Sequence, residues 1–189
     1  MRKSYFRRTW KKIHIAIDPL SHEVLATDLT SSKATDDQSF KTMIDQIPED
    51  IERVFGDGAY DKTKCYDACL NRGITPIIPP QKKALLQDEM QKQIKRTNSR
   101  IARDVNISRI RELELITKNN EQARTEWKIE SDYHTRSNVE TTMFRYKRTF
   151  GDKLLSRNFD NQKTENMIKI NLLNKFTSLG MPESLPVYG

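Results

Sequence analysis

The sequence predicts an α/β protein, in which short strands alternate with amphipathic helices. Ile13, Ile15 and Ile17 alternate with small or polar residues, which is the period of a strand with one buried face. In the next segment, apolar residues recur at helical spacing instead: Phe40, Met43, Ile44 and Ile47. The chain has 189 residues, of which 35% are hydrophobic and 31% charged, enough for one domain with a core of its own.

The first two elements are predicted to form a hairpin. The strand that contains the three isoleucines runs into Asp18-Pro19-Leu20-Ser21, which has the composition of a tight turn. Residues Glu23 to Leu29 then form the returning strand.

A helix and a short strand are expected next. Thr35 or Asp36 can cap the helix, because both side chains accept hydrogen bonds from free N–H groups, and Pro48 ends it. Ile51 to Phe55 is a short apolar strand that leads directly into Gly56-Asp57-Gly58.

A second helix–strand pair follows. Asp61 is predicted to cap a helix over Lys62 to Arg72, and Gly73 is a natural stop. Ile74 to Ile78 reads as a strand closed by two prolines.

The second half of the chain is predicted to be mainly helical. Residues Gln81 to Lys118 are highly charged and fit surface helices and loops, and Thr125 to Glu130 fits a short strand. A helix is expected from about Ser137 to Phe150, ended by Gly151. A last amphipathic helix covers about Thr164 to Phe176, with its apolar side formed by Met167, Ile168, Ile170, Leu172 and Leu173.

Composition excludes several classes of protein. No apolar run is long enough to span a bilayer, and no apolar segment follows the basic N-terminus, so we expect a cytoplasmic protein without a membrane partner. Cys65 and Cys69 fit two small buried residues, and the histidines His14, His22 and His134 form no ligand pattern.

The net charge of +7, from 33 Lys and Arg against 26 Asp and Glu, favours a polyanionic partner. The basic stretch from Lys92 to Arg111 has two open interpretations, a nucleic-acid surface or a solvated helix.

Four residues near the middle of the second half carry the most chemical information. Tyr133, Arg136, Glu140 and Lys147 are spaced so that a single helix would place them on one stripe. A neighbouring apolar stripe would face the core: Val139, Met143, Tyr146 and Phe150. On this spacing alone, the alternative is a solvated salt-bridge face, worth a few tenths of a kcal/mol.

Two motifs together make a family resemblance. The stretch from Tyr133 to Lys147 resembles the tyrosine–arginine–glutamate–lysine signature of bacterial insertion-sequence transposases of the DDE class, which use two aspartates and a glutamate. The stretch Phe55-Gly56-Asp57-Gly58-Ala59-Tyr60-Asp61 resembles the second-aspartate motif of that family, and Trp10 to Asp18 resembles the strand that follows its first aspartate.

The resemblance implies a fold and a site. It implies a ribonuclease H-like mixed sheet flanked by helices, with the first strand missing, over residues 1–182, with a helical insert at about 81–124 and a tail at 183–189. Asp57 and Glu140 would be catalytic ligands of Mg²⁺ or Mn²⁺, because hard carboxylate oxygens suit these ions in a two-metal site. Tyr133, Arg136 and Lys147 would contact double-stranded DNA at element ends and target.

The resemblance also implies that the first aspartate is absent, since the sequence begins just after its expected place. Asp18 does not replace it, because only one strand separates Asp18 from the helix before Asp57. We therefore expect the isolated chain to have little or no transposition activity, unless a full-length transposase or a separate N-terminal fragment supplies the missing strand. We also expect the chain to associate with the bacterial nucleoid. The alternative is a truncated, non-catalytic fragment that binds DNA or inhibits the enzyme, or a decayed reading frame.

Overall fold

A computed structural model describes residues 10–47, 51–81 and 98–180 of the chain. They fall into two compact units. The terminal unit comprises Met1–Ser32 and Asn138–Gly189, and the central unit comprises Lys33–Ser137. Both contain helices and a small two-stranded sheet, which confirms the predicted α/β class.

Four strands and six α-helices form the described parts of the two units. The strands are β1 (Lys11–Ile17), β2 (Val24–Ser31), β3 (Arg53–Phe55) and β4 (Thr75–Ile77). The helices are α1 (Asp36–Gln46), α2 (Thr63–Leu70), α3 (Asn98–Thr117), α4 (Asn120–Glu130), α5 (Asn138–Phe150) and α6 (Phe159–Ser178). Two short 3₁₀ helices, Gly58–Tyr60 and Tyr133–Ser137, precede α2 and α5.

The terminal unit begins with the hairpin that the sequence predicts. Strands β1 and β2 pair antiparallel, with Lys11 opposite Ser31 and a register irregularity after Ala16. The turn is closed by Asp18, whose carboxylate accepts hydrogen bonds from the Leu20 amide at 2.8 Å and the Ser21 hydroxyl at 2.9 Å. These bonds use the local turn chemistry of aspartate, and the Leu20 bond is the main reason that the pKa of Asp18 is lowered.

Helices α5 and α6 supply the rest of the core of the terminal unit. Its buried members are Val24, Tyr146, Ile170 and Leu173, against which the three isoleucines of β1, Met143 and Phe150 pack. The predicted apolar side of the last helix is only partly correct. Met167, Ile168 and Leu172 are exposed, so the buried stripe of α6 is narrower than the apolar pattern suggested.

The central unit is built around a parallel strand pair, β3 with β4, in which Val54 lies opposite Pro76. The predicted cap of α1 is confirmed at Thr35, whose amide donates to the Gln38 side chain at 3.1 Å in a capping box.

Cys65 and Cys69 are free and fully buried on α2, as their spacing predicts. Burial raises the pKa of each thiol to about 12, so neither is reactive at neutral pH.

The predicted strand at Thr125 to Glu130 is wrong, because this segment forms the second half of α4. The Asn119 side chain caps the helix by accepting from the Glu121 and Gln122 amides at 2.9 and 3.2 Å. Within the helix, Ala123 and Trp127 lie one turn apart and pack on residues of α3, Ile110 and Leu113. This helix-to-helix packing outweighs the β propensity of Thr, Trp and Ile.

The two tryptophans differ in burial. Trp127 is 3% exposed, whereas Trp10 is 70% exposed beside the start of β1. Pro48, residues 82–97 of the charged segment, and the tail lie outside the described residues. No helix within the described ranges is long and apolar enough to cross a membrane.

Candidate functional site

Asp57 occupies the loop between β3 and the first 3₁₀ helix. Its backbone is extended, and one carboxylate oxygen, Oδ1, accepts a hydrogen bond from the Ala59 amide at 2.8 Å, so Asp57 caps this short helix. The side chain remains 43% exposed. The aspartate is therefore fixed in direction by a local bond and still reaches solvent.

The glycine before Asp57 lies in tightly packed surroundings. A Cβ on Gly56 would lie 3.2 Å from the Tyr60 ring and 3.3 Å from the Ile78 side chain, which is tighter than nearly all real contacts. The Gly56 amide donates to the Ile77 carbonyl at 3.1 Å, which continues the pairing of β3 with β4. Because it has no side chain, Gly56 allows the end of β3 to pass close to Tyr60. Asp57 then projects toward solvent.

The structure brings Asp57 together with Arg136. The Arg136 Nη2 lies 3.6 Å from the Asp57 Oδ2, and the guanidinium side chain is 32% exposed. Arg136 belongs to the second 3₁₀ helix, which follows α4 in the central unit. The two motifs found separately in the sequence therefore meet through this ion pair.

Tyr133 anchors the segment that carries Arg136. Its ring packs on Trp127 with centroids 5.8 Å apart, and the Lys128 ammonium lies 5.9 Å from the ring centroid. Tyr133 is half-buried against the core of α3 and α4. Its observed contacts position the loop.

Asp61 is not the N-cap of α2, which corrects the sequence prediction, because Lys62 holds the position before that helix. Its side chain is fully buried and bound by Arg103 of α3 through two bonds, Nε to Oδ1 at 2.6 Å and Nη2 to Oδ2 at 2.9 Å. The Tyr66 hydroxyl and the Gln81 amide also donate to the carboxylate. This network ties α2, α3 and the loop after β4 to the segment that begins at Asp57.

The Asp61–Arg103 pair is the functional feature that sequence reasoning missed. Asp61 belongs to a motif that is recognisable in the sequence. Arg103 lies in the basic stretch from Lys92 to Arg111, for which a solvated helix was one interpretation. Because the partners are distant in sequence, no local periodicity links them. Burial of Ile107 and Ile110 further shows that part of this stretch faces a core.

Glu140 and Lys147 belong to the terminal unit, on α5. Both side chains are exposed, with Glu140 in the first turn and Lys147 in the last. This order complements the helix dipole, which favours anions at the N-terminus and cations at the C-terminus. The prediction that one helix carries all four signature residues is wrong, because Tyr133 and Arg136 lie on the 3₁₀ helix before α5.

Buried polar bonds hold α5 and α6 on the hairpin. The Tyr146 hydroxyl donates to the Asn166 Oδ1 at 3.1 Å, and the Asn166 amide donates to the Thr27 hydroxyl at 2.9 Å. Asn174 of α6 bonds both the amide and the carbonyl of Val24 at 2.8 Å. Burial raises the pKa of Tyr146 to about 12, so the phenol stays neutral and can donate.

The two acidic residues of the motifs supply only part of the ligands that a divalent ion needs. Asp57 and Glu140 offer the hard oxygens that Mg²⁺ and Mn²⁺ prefer. However, no group of three or more His, Cys, Asp or Glu side chains within residues 10–47, 51–81 and 98–180 is placed to hold a metal. The described residues therefore do not complete the shell of a two-metal site.

The comparison with known families settles the class of the chain. Residues 2–175 match the family model described as transposase DDE domain, which covers nearly the whole sequence. The chain belongs to this family. No solved structure matches it. Domains of this family act in DNA transposition, bind DNA and generally depend on a divalent metal ion.

Proposed function

We propose that the chain acts in DNA transposition as a catalytic part of a DDE transposase, which cleaves and joins DNA strands at insertion-sequence ends. The observation that carries the proposal is the ion pair between Asp57 and Arg136. It joins an aspartate from one transposase motif to an arginine from the other, and both side chains reach solvent. A buried structural pair would not leave a carboxylate open to a ligand.

Asp57 and Glu140 are proposed as the acidic ligands of Mg²⁺ or Mn²⁺. When bound, such ions activate the attacking oxygen and stabilise the leaving oxygen of a phosphodiester. Arg136 orients the Asp57 carboxylate and offers its remaining N–H groups to DNA phosphate. Lys147 contributes an exposed ammonium to the same polyanion, and Tyr133 contacts DNA only with the edge that the core leaves uncovered.

We also propose a ribonuclease H-like arrangement for this domain. An antiparallel hairpin followed by a parallel strand pair, with helices between and after them, is compatible with a mixed sheet of that kind. The proposed partners are double-stranded DNA and a full-length transposase or separate N-terminal fragment that supplies a third carboxylate. With two acidic ligands, the isolated chain is expected to have little strand-transfer activity.

Metal binding tests the assignment of ligands without requiring turnover. We would titrate the purified chain with Mn²⁺ and follow the electron paramagnetic resonance signal of the free ion. Asp57→Asn and Glu140→Gln should each weaken binding on the order of ten-fold, because each removes an anionic oxygen donor.

Matched controls come from exposed acids outside the motifs, Asp67→Asn in the central unit and Glu23→Gln in the terminal unit. Both should bind Mn²⁺ like the unaltered chain. Equal binding by Asp57→Asn and the unaltered chain would remove Asp57 from the site, and the same result for Glu140→Gln would remove Glu140.

A second candidate is a non-catalytic DNA-binding or inhibitory fragment. It is favoured by the net charge of +7 and by the lack of a three-acid cluster among the residues that the structure describes. On this hypothesis, DNA binding is independent of metal, and adding the chain to an active transposase lowers its rate. Metal-dependent nicking of plasmid DNA that is lost in Asp57→Asn would favour the catalytic proposal instead.

A further inference from the structure

The terminal unit contains a basic groove that is lined by none of the four signature residues. It has a volume of about 390 Å³ and lies between the last turns of α5 and α6. Its lining combines two guanidinium groups, a hydroxyl and an apolar floor: Arg145, Arg148, Thr149, Leu173, Phe176 and Gly180. Among the residues that the structure describes, no acidic side chain lines it.

The groove lies on a different face of α5 from the signature residues. Arg145, Arg148 and Thr149 are spaced by three and four positions, so they share one face of the helix. Glu140 and Lys147 share another face, because seven positions make two turns. A ligand in the groove would therefore contact side chains that the Glu140 site does not use.

Among the described residues, only one of the two terminal nitrogens of Arg145 has a hydrogen-bond partner. Its Nη2 donates to the Thr177 hydroxyl of α6 at 3.0 Å, which fixes the guanidinium at the wall of the groove. Its Nη1 is inaccessible to solvent and has no hydrogen-bond partner among the described residues. A buried N–H group of a charged side chain without an acceptor is costly, so the Arg145 guanidinium keeps donor capacity that the described residues do not use.

Helix stabilisation alone does not explain this arrangement. Arg148 lies in the last turn of α5, where a cation is favourable to the helix dipole. Arg145 lies further from the helix end, and the dipole gives no reason for its orphaned Nη1. Phe176 is 44% exposed beside the two arginines, which leaves an apolar surface for the sugar portion of a ligand.

We propose that this groove binds a phosphodiester group of DNA, with Arg145 and Arg148 holding the phosphate oxygens and Phe176 contacting the adjoining sugar. Planar guanidinium groups match phosphate geometry and present several donors at once. The net charge of +7 and the DNA-binding character of the family make DNA the complementary polyanion. The inference rests on the proposed function and adds a second DNA contact, apart from the signature residues.

The test is a salt titration of DNA binding by the full chain. Fluorescence anisotropy with a labelled duplex would be measured over a range of KCl concentrations for the unaltered chain and for Arg145→Gln, Arg148→Gln and the double variant. Because the groove takes up one phosphate, losing this contact in the double variant should reduce the slope of log affinity against log salt by about 0.9. Its binding at low salt should weaken on the order of ten-fold, equally on duplexes of unrelated sequence.

Controls separate loss of a contact from loss of charge or of folding. Arg157→Gln removes one exposed cation of the same unit outside the groove and should leave the slope nearly unchanged. Arg148→Gln alters an exposed side chain, so its slope change cannot come from unfolding. Arg145→Lys keeps the charge but loses the planar fork, and should weaken binding while retaining most of the slope.

Each outcome decides something distinct. If the unaltered chain binds DNA and the double variant binds with the same slope, the groove is not a phosphate site and the proposed function stands. If the unaltered chain fails to bind DNA at low salt, both proposals fall. If deletion of residues 181–189 raises DNA affinity and the double variant shows no effect without that deletion, the tail occupies the groove, and the assignment to DNA is overturned for the full chain.

Discussion

The two proposed acidic ligands are held in place by different physical means. Asp57 projects from a loop of the central unit, and four residues further on the chain is fixed by a buried carboxylate with a bidentate arginine. Glu140 projects from the exposed side of α5, and that helix is held by apolar packing and by neutral hydrogen bonds. One acid depends on a buried charge pair, and the other depends on a helix whose interior side is apolar.

The difference shows that an acidic side chain is easier to hold in place on a regular helix than on a loop. A helix satisfies its own backbone bonds, so Glu140 needs only a well-packed opposite face. The Asp57 loop has few repeating bonds, and tertiary contacts must define it. A buried ion pair suits this task because leaving either partner alone is strongly unfavourable.

The largest expected effect comes from breaking the charge pair. Asp61→Asn should destabilise the central unit by about 3 kcal/mol, because Arg103, which is only 22% exposed, would lose its bidentate carboxylate partner. Hydrogen exchange would locate the effect, with lost protection expected in α2 and α3. Asp57→Asn is the matched control and should cost less than about 1 kcal/mol, since its side chain is partly exposed.

A second variant separates the pair from simple loss of packing. Adding Arg103→Met to Asp61→Asn should recover part of the stability, because the double variant no longer holds a largely buried guanidinium without the Asp61 carboxylate. Additive losses in the double variant would show that the two side chains act independently, and that the pair does not define the Asp57 loop.

Sequence reasoning succeeded where structure is decided locally. The hairpin turn at Asp18, the cap at Thr35 and the burial of Cys65 and Cys69 all follow from a few neighbouring residues. It failed for α4, where Trp127 and Ala123 pack on another helix. Strand propensity could not reveal this packing, because burial against α3 is a tertiary property.

The candidate site was predictable as motifs but not as geometry. The sequence identified Asp57 and Arg136 separately, and only the folded chain places them 3.6 Å apart. Helical spacing wrongly assigned Tyr133 to the same helix as Glu140. Asp132 has a positive φ of 56°, and the backbone then forms a 3₁₀ helix before α5 begins. A break of this kind carries no periodic signal in the sequence.

A smaller effect on the free energy of unfolding is expected in the terminal unit when the pH is lowered. Burial on its own disfavours the charge of Glu165, but hydrogen bonds from Lys169 and from the Leu155 and Ser156 amides outweigh it and lower its pKa to about 2. A depressed pKa stabilises the fold above the unfolded value, near 4.5, and this contribution fades as pH falls toward 2.

Glu165→Gln should therefore cost about 2 kcal/mol at neutral pH, and the difference between variant and unaltered chain should shrink below pH 4. Urea denaturation at several pH values would measure it. Glu23→Gln, at an exposed position of the same unit, is the matched control and should change stability by less than about 0.5 kcal/mol. A constant difference across the range would mean that ionisation of Glu165 does not stabilise the α6 region.

The smallest effect is expected at the neutral bond that positions α5. Tyr146→Phe removes the donor to Asn166, whose oxygen is buried, and should cost about 1 kcal/mol because the bond is uncharged. The same change on an Asn166→Ala background should cost less, since no acceptor is left unsatisfied. If Tyr146→Phe proved as damaging as Asp61→Asn, neutral and charged networks would be equally critical, and the contrast between the two ligand-bearing regions would not hold. A small cost with retained Mn²⁺ binding would instead show that apolar packing is enough to present Glu140.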